Sequence, residues 1–402
     1  MNPALFSNAP NPFTTSTAGI ATGDNNNIFR IRDIAPGIDE LNMNDGKFHK
    51  VLSMFKRDQA ATQVKYEWGE KDVQSVQGVF TTAKSASATD PVVDSAAAVA
   101  IQENYVVQNT ESGELMYVTA NTSGTLTVIR GVFGSATAPI AEGDTFITHG
   151  AQLPEGGNAN TGAGIIPTDR FNYIQRWSES VSASDIQEVV AMVDGVGQIT
   201  QAMVDKELYV QRQINNAIIW GQRFRGTVNG KTVTTTAGFV EQASFHELNL
   251  QGNGGLLEWQ TMNRFANPLF EHSASSRTKH VFCGEHVWTA LSHLFYERNN
   301  FIPAVESEIG ADVGVITTDN GGRLEFVRDI YGFASGTGNA GSAIVVDMQN
   351  VALKDLTGQP LGWRMDVQQP NSHEIQHEFW GTESLKVSHR ETHAVIRGAG
   401  PN

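Results

Sequence analysis

The stretch QITQAMVDKELYVQRQINNAIIWGQRFR, residues 198–225, is the longest helical candidate in the chain and spans about seven turns at 3.6 residues per turn. Arg223 and Arg225 stand at its end, where the helix dipole favours positive charge. Its apolar residues form one stripe: Ile199, Met203, Val210, Ile214 and Ala217. The stripe is narrow for the length of the helix, so we predict that the helix lies across a sheet or against another subunit.

The sequence that precedes this helix is mostly of β type. Runs rich in Val, Leu, Ile and Thr at 105–107, 115–118 and 126–129 are separated by Glu-Ser-Gly and Thr-Ser-Gly turns. This spacing is typical of short antiparallel strands. We predict a compact β module at about 92–150, set into a longer extended loop.

The sequence that follows the helix mixes both types and then becomes β-rich. In the lobe at 236–344, helices are predicted near 256–267 and 285–296, and strands near 279–283, 313–317 and 324–329. Further on, apolar Leu361, Trp363, Met365 and Val367 alternate with other residues, and this period of two predicts a strand. The chain is therefore expected to fold in the α+β class.

The first 44 residues have a different composition. They contain Asn-Pro twice, a Thr-Thr-Ser-Thr run and three consecutive Asn residues, with few apolar side chains to bury. Such a segment cannot offset its own ordering entropy without another surface. Two interpretations remain open: an arm that lies on another surface, and a disordered tail.

Composition excludes several classes of protein. The 402 residues contain 28 Lys and Arg against 43 Asp and Glu, a net charge of −15, whereas a DNA-reading domain shows a clustered basic face. The single cysteine, Cys283, excludes an internal disulfide and a cysteine-based zinc finger, and its apolar neighbours predict a buried, inert thiol. No signal peptide is recognisable, and no apolar run approaches the ~20 residues of a membrane span.

One string has the form of a metalloprotease motif, His373-Glu374-Ile375-Gln376-His377. On a helix its two histidines could bind zinc while the glutamate activates water. Here Ile375 and Phe379 continue a period of two, which favours a strand, and Trp380 stands where the longer metzincin motif requires glycine. A zinc metallohydrolase built on His373, Glu374 and His377 is therefore kept only as the alternative function.

Three other patterns are weaker. His389 and His393 repeat the i, i+4 spacing on what is expected to be the following strand, where polar residues of a solvated sheet face are the commoner explanation. Residues 226–232 resemble a phosphate-binding loop but lack one residue, and Asn229-Gly230 predicts a type I′ hairpin instead. The G-x-G-x-x-G string at 336–341 precedes a strand rather than a helix, so we interpret it as a surface loop. No catalytic, cofactor-binding or metal-binding residue is predicted.

The order of these pieces resembles the major capsid proteins of tailed bacteriophages with the Hong Kong 97-type (Johnson) fold, in the group with a β module inserted in the extended loop. The resemblance is spread over most of the chain: Tyr66–Trp68, Val128–Gly131, Glu155–Gly156, Asn172–Gln175, the helix at 198–225 and the strand at Leu385–Gly398. It implies an N-terminal arm (1–44), an extended loop (45–168) with the inserted module (about 92–150), a peripheral domain (169–235) with a long spine helix (198–225), an axial domain (236–344) and β strands returning to the peripheral domain (345–402).

The resemblance also implies a function. A major capsid protein assembles as hexamers and pentamers into an icosahedral shell around double-stranded DNA, without enzymatic activity, a cofactor or sequence-specific DNA binding. The implied partners are copies of the same chain, a portal, and possibly separate scaffolding or decoration proteins, with no membrane. The implied location is the virion, after assembly in the bacterial cytoplasm. An encapsulin-like compartment and another β-rich virion or surface protein remain alternatives.

Overall fold

The computed structural model describes residues 46–71, 76–153, 155–156, 160, 167–184, 186, 198–298, 313–334 and 337–400. The predicted arm at 1–44 lies outside the described residues. The helices are α1 (Lys47–Phe55), α2 (Ser95–Ala100), α3 (Gln198–Trp220), α4 (Phe239–Ala243), α5 (Trp259–Ala266) and α6 (Glu285–Arg298). Among the described residues, no helix combines the length and the apolar character needed to span a membrane.

The strands belong to five sheets. Those of the first half are β1 (Lys65–Glu70), β2 (Gln77–Val79), β3 (Tyr105–Asn109), β4 (Leu115–Thr122), β5 (Thr125–Ile129), β6 (Thr145–Ala151), β7 (Thr168–Tyr173) and β8 (Gln175–Ser184). Those of the second half are β9 (Phe224–Val228), β10 (Lys231–Thr235), β11 (His246–Asn249), β12 (Thr278–Cys283), β13 (Val313–Thr317), β14 (Arg323–Arg328), β15 (Ala343–Val346), β16 (Val351–Lys354), β17 (Gly362–Arg364), β18 (Glu374–Val387) and β19 (Ala394–Arg397).

A mixed six-stranded sheet forms the centre of the fold, in the order β11-β19-β15-β12-β14-β13. Its inner strands β15 and β19 are almost completely buried, which explains their nearly continuous apolar sequences. Val281 and Val345 pack with α5 and α6 on one face. Phe282 and Ile344, their neighbours in sequence, pack with α1 and α3 on the other. This alternation confirms the strands and helices predicted for the lobe at 236–344.

A second sheet has β18 as its long central strand. β16 and β17 pair with one side of β18, and β8 pairs antiparallel with it from Glu374↔Ser184 to Glu383↔Gln175. Its apolar side joins the same core as α3. The two sheets with α1 and α3–α6 are called the body below. Because the last strand, β19, pairs with β15 and β11, residues 345–402 contribute to both sheets.

The predicted stripe of the long helix is buried in its second half. Val210, Ile214 and Ile218 are completely buried in the body core, whereas Ile199 and Met203 are half-buried. The helix ends at Trp220 rather than at residue 225. The physical reason is the hairpin that follows, because β9 begins at Phe224 and pairs with β10.

The turn of that hairpin has the predicted conformation. Asn229 and Gly230 both have positive φ, 49° and 74°, as a type I′ turn requires. Together β9 and β10 form a separate two-stranded sheet. The predicted hairpin is confirmed, and it accounts for the sequence that resembled a phosphate-binding loop.

The alternation at 361–367 forms a much shorter strand than expected. β17 covers only Gly362–Arg364, and Met365 is 57% exposed. Asp366 has φ of 56°, which turns the chain out of the strand. The alternation of apolar residues therefore overestimates the length of this strand, because Asp366 has a left-handed backbone conformation that ends it.

A two-stranded ribbon and a separate five-stranded sheet occupy the region predicted as the extended loop. β1 and β7 pair from Lys65↔Tyr173 to Glu70↔Thr168. The chain between them forms the sheet β2-β6-β3-β4-β5. Residues 76–153, which contain this sheet and α2, are called the β module from here on. The domain boundaries themselves remain a prediction.

Candidate intersubunit surfaces

The ribbon is attached to the body by a buried polar network. The Tyr66 hydroxyl donates to the carbonyl oxygen of Leu385 at 2.9 Å, and the Asn172 amide donates to the same oxygen at 2.8 Å. Ser384 also contacts the Tyr66 hydroxyl, at 2.9 Å. Burial raises the pKa of Tyr66 well above its usual value, so this side chain stays a hydrogen-bond donor. The network fixes the base of the ribbon on β18.

A cleft of about 200 Å³ lies beside this ribbon. Most of its charged side chains are already paired: Arg170 lies 3.5 Å from Glu70, and Arg223 lies 3.8 Å from Glu241. Arg223 also stacks on the ring of Phe171 at 4.2 Å. A ligand would have to displace these contacts, so the cleft is not a candidate binding site.

The β module has a hydrophobic core of its own. Phe80 and Phe146 stack at 4.8 Å in its centre, and Met116 and Leu126 are buried beside them. The edge strand β5 is covered by the module's own chain, because the amide of Leu126 donates to the Pro91 carbonyl at 2.9 Å. A covered edge cannot add a strand from another protein. Contacts of the module must therefore use its faces or its turns.

A buried ion pair fixes one corner of the module. Arg130 donates to both carboxylate oxygens of Glu114, at 2.7 and 2.6 Å, and the amides of Gly131 and Ala138 donate to the same carboxylate. Burial opposes ionisation of Glu114, but these hydrogen bonds outweigh it and hold the pKa below its usual value. The loop that they organise presents Phe133, which is 69% exposed.

The start of α1 receives its caps from distant elements. Its N-cap residue, Gly46, has no side chain to cap the helix. Instead, Asp329 accepts from the Phe48 amide at 3.1 Å, and Asn215 accepts from the His49 amide at 2.9 Å. These side chains satisfy amides that a helix start leaves without partners. α1 is therefore anchored to α3 and to the residue that follows β14.

Most of the His-Glu-x-x-His string lies on a strand, as its alternation predicted. Glu374 and His377 belong to β18, which His373 precedes, and His377 is buried, with its Nδ1 accepting from the Asp366 amide at 3.1 Å. The two histidines are therefore not one helical turn apart, as the zinc motif requires. The described residues contain no group of three or more potential metal ligands.

The second histidine pair is not on a strand, contrary to expectation. His389 has φ of 51° and begins a short 3₁₀ turn that separates β18 from β19, so Leu385–Gly398 is not one continuous strand. His393 is completely buried: its Nδ1 accepts from the Asp347 amide at 3.1 Å, and its Nε2 donates to the Ser388 carbonyl at 3.1 Å. Burial lowers the pKa of His393 to about 3. Both nitrogens of this neutral ring are used, so it cannot bind a metal.

Lys279 and Asp347 form a second buried ion pair, at 2.5 Å, in the six-stranded sheet. Asp347 also accepts from the Ser276 amide at 2.8 Å, and Lys279 donates to the Ser275 hydroxyl at 2.7 Å. Burial lowers the pKa of Lys279, although the contact with Asp347 opposes this change. The sequence analysis did not identify this pair, since each residue is isolated in an ordinary strand sequence.

The remaining sequence patterns have structural roles. Cys283 is buried in β12, and burial raises the pKa of its thiol to about 12, as expected of an inert cysteine. In the G-x-G-x-x-G string, residues 338–341 form a short 3₁₀ turn before β15. Gly336 lies outside the described residues. The sequence analysis also missed the caps of α1, for which no local signal exists.

The described residues thus combine a packed body with elements outside its core: the ribbon, which is bonded to the body at both ends through Tyr66 and Glu70, the β module and the β9–β10 hairpin. The chain belongs to the SU10 major capsid protein family, whose model matches residues 13–400. The resemblance stated from the sequence, to major capsid proteins of tailed phages, is thereby confirmed, and the family is one of structural proteins rather than enzymes.

One curated relative and several solved structures are similar to the chain. A major capsid protein of Pseudomonas phage PaMx41 is 26% identical over 171 residues, which span 42% of this chain and 40% of that protein. The match to the capsid of a native GTA particle covers 95% of this chain and 100% of that chain, with 10% identity and a TM-score of 0.49. The match to Mycobacterium phage Ogopogo covers 92% and 96%, with 9% identity and a TM-score of 0.47. The match to a Synechococcus elongatus encapsulin covers 58% and 77%, with 12% identity and a TM-score of 0.42. These TM-scores lie below 0.5, and the family assignment rests on the sequence match instead.

Proposed function

We propose that this chain is the repeating subunit of a phage shell. In this proposal, copies associate as hexamers and pentamers into an icosahedral capsid that encloses double-stranded DNA, and assembly takes place in the cytoplasm of the bacterial host. Portal, scaffolding and decoration proteins are the further partners proposed. Family membership supports the role of capsid protein, and the architecture supports a subunit that completes its contacts on its neighbours.

The observation that carries this proposal is the combination of the ribbon and the module. The ribbon is fixed at its base by Tyr66 and Asn172, and the β module beyond it has its own core. One face of the ribbon packs on the body through Tyr66 and Glu70, and the opposite face, with Lys65 and Glu67, is exposed and open to another surface. Association with a neighbouring copy would supply that surface.

The surface charge is compatible with this role. A chain with net charge −15 does not bind DNA uniformly, since most of its surface repels phosphate. A shell of such subunits can enclose DNA without binding it at every position. The proposal therefore includes no sequence-specific DNA contact.

The first experiment is electron microscopy of the expressed full chain, alone and together with the other structural proteins of its phage. Closed shells or rings of subunits are expected. If the chain remains a monomer in the presence of those partners at high concentration, the proposal is wrong.

A deletion tests the predicted arm in the same assay. Removal of residues 1–40 is expected to prevent particle formation while the body still folds, because α1 and its caps begin only at residue 46. A matched control replaces residues 1–40 by a Gly/Ser linker of equal length. Normal shells from the deletion variant would contradict the role of the arm.

A further inference from the structure

The β9–β10 hairpin has an unusual charge for this chain. No Asp or Glu occurs from residue 208 to residue 240, although the protein as a whole is strongly acidic. Arg223 at the base of the hairpin is paired with Glu241. Arg225 and Lys231 are exposed, and neither forms an ion pair with any of the residues that the structure describes. The hairpin therefore presents two unneutralised positive charges.

The same hairpin also presents apolar surface. The register places Gly226 opposite Val233 and Val228 opposite Lys231, and Arg225 lies on the opposite face of the hairpin. Phe224, Val228 and Val233 share the face of Lys231. These three side chains are 48%, 47% and 38% exposed. Apolar and aromatic residues beside charges are typical of protein–protein contacts. A DNA-binding surface would need more than two free cations, since phosphate contacts number about six to ten in a typical complex.

The β module has the opposite charge. Its 78 residues include two basic and seven acidic residues, a net charge of −5. Glu114 is paired with Arg130 and Asp90 with Lys84. Glu111 and Glu142 are exposed, and no ion pair with a described residue neutralises them.

Glu111 and Glu142 lie on two neighbouring turns at one end of the module. The Asn109 amide donates to Asp144 at 3.0 Å, and the Thr110 amide donates to the Thr145 carbonyl at 2.9 Å. These bonds join the turn that carries Glu111 to the turn that carries Glu142. The end of the module is therefore a rigid acidic surface, and it is called the acidic end below.

We propose that the β9–β10 hairpin of one copy binds the acidic end of the β module of a second copy. Exposed ion pairs contribute little each, but complementary charge directs association and fixes which surfaces meet. In a closed shell the contact would be repeated at every subunit. This inference deepens the proposed function and rests on it, because it names the surfaces through which copies of the chain associate.

Charge exchange in the full chain tests the inference. Arg225→Glu with Lys231→Glu, and separately Glu111→Lys with Glu142→Lys, are each expected to reduce the yield of sedimenting shells about tenfold. The chain that carries all four substitutions is expected to regain most of that yield, since the charges are again complementary. The matched control, Arg225→Lys with Lys231→Arg, keeps the charge and should assemble normally. Circular dichroism and thermal unfolding of each variant confirm that it is folded.

Several outcomes would overturn the inference. Normal shells from either charge-reversed double variant would do so. A fourfold variant whose yield of shells is no higher than that of the two double variants would also do so. Reversed hairpin variants that form normal shells but hold less DNA would show that the hairpin binds nucleic acid instead.

A second measurement separates this inference from the proposed function. Lys231→Cys and Glu142→Cys are made in different chains, which are mixed and treated with a short bismaleimide, while buried Cys283 does not react. A covalent dimer of the two chains is expected, and each single variant alone should give little covalent dimer. If the wild type forms no shells, the proposed function fails, and the presence or absence of this dimer still decides the inference.

Discussion

The body and the β module each contain a buried ion pair, Lys279–Asp347 and Arg130–Glu114, and these two pairs are constructed differently. In the module, the planar guanidinium of Arg130 meets both oxygens of Glu114, and backbone amides complete the contacts of the carboxylate. In the body, Lys279 meets a single oxygen of Asp347. The lysine is thus a point charge that also donates to the Ser275 hydroxyl, whereas the arginine pair is bidentate.

The titratable groups of the body and of the module predict how each region responds to acid. The groups with lowered pKa in the body include His393, which stays neutral in the folded protein but takes up a proton near pH 6.5 when unfolded, whereas the module depends on a carboxylate whose pKa is lowered from 4.5. The body is therefore expected to lose stability first when the pH falls. The module, with its own core and covered edge, is expected to behave as a separate unit of stability.

The largest effect is expected from a charge in the body core. Ile214→Asp places a carboxylate among completely buried side chains and should cost about 5 kcal/mol of unfolding free energy. Val204→Asp on the exposed face of the same helix is the control, with a change within about 0.5 kcal/mol. Hydrogen exchange of the module should be unchanged in both variants. Equal melting temperatures would show that the stripe of α3 is not buried.

The next effect concerns the module alone. Glu114→Ala leaves the Arg130 guanidinium buried without its partner and should cost about 3–5 kcal/mol. Faster hydrogen exchange is expected in β3–β6 but not in β12 or β15. Glu111→Ala, an exposed acid on a nearby turn, should have almost no effect. Coupled loss of protection in the body would contradict the independence of the two regions.

The pH dependence of stability also distinguishes the body from the module. The folded state lowers the pKa of His393 to about 3, so the unfolded chain binds more protons between pH 6.5 and 3. The corresponding stability is complete above pH 6.5 and is lost as the pH falls, by about 1.4 kcal/mol per unit. Burial also lowers the pKa of His246 and His280, with the same sign.

Glu114 contributes with the same sign, but in the lower pH range in which carboxylates titrate. Its folded pKa is lowered, so its contribution is present above an unfolded pKa of 4.5 and is lost only as the pH falls through the folded value. Between pH 6.5 and 4.5, hydrogen exchange should therefore accelerate in the body and not in the module. His393→Gln should reduce the slope. A uniform response of both regions would contradict the assignment.

The smallest effect is expected in the hairpin. Gly230→Ala puts a side chain at φ of 74° and should cost about 1 kcal/mol, confined to β9 and β10. Thr232→Ala, on the exposed face of β10, serves as the control. Amide exchange of residues 224–235 measures the change. A loss of stability in the body would show that the hairpin is part of its core.

Much of the fold could be predicted from sequence because its signals are local. The stripe of α3, the Asn229-Gly230 turn and the strand around Ile375 each depend on the spacing of a few residues. The errors have equally local causes: the hairpin takes over the expected end of α3, and Asp366 and His389 with positive φ interrupt the expected strands. The Lys279–Asp347 pair and the acidic end of the module depend on contacts between distant residues, which no local pattern encodes.

The capping of α1 has a consequence for how the protein is made. The amide of Phe48 is bonded to a carboxylate 281 positions later in the chain. At about 5–20 residues per second, a ribosome needs on the order of 15–60 s to synthesise that interval. Until Asp329 has emerged, α1 lacks one of its two distant caps. The first helix of the described chain to be translated is thus among the last to be completed.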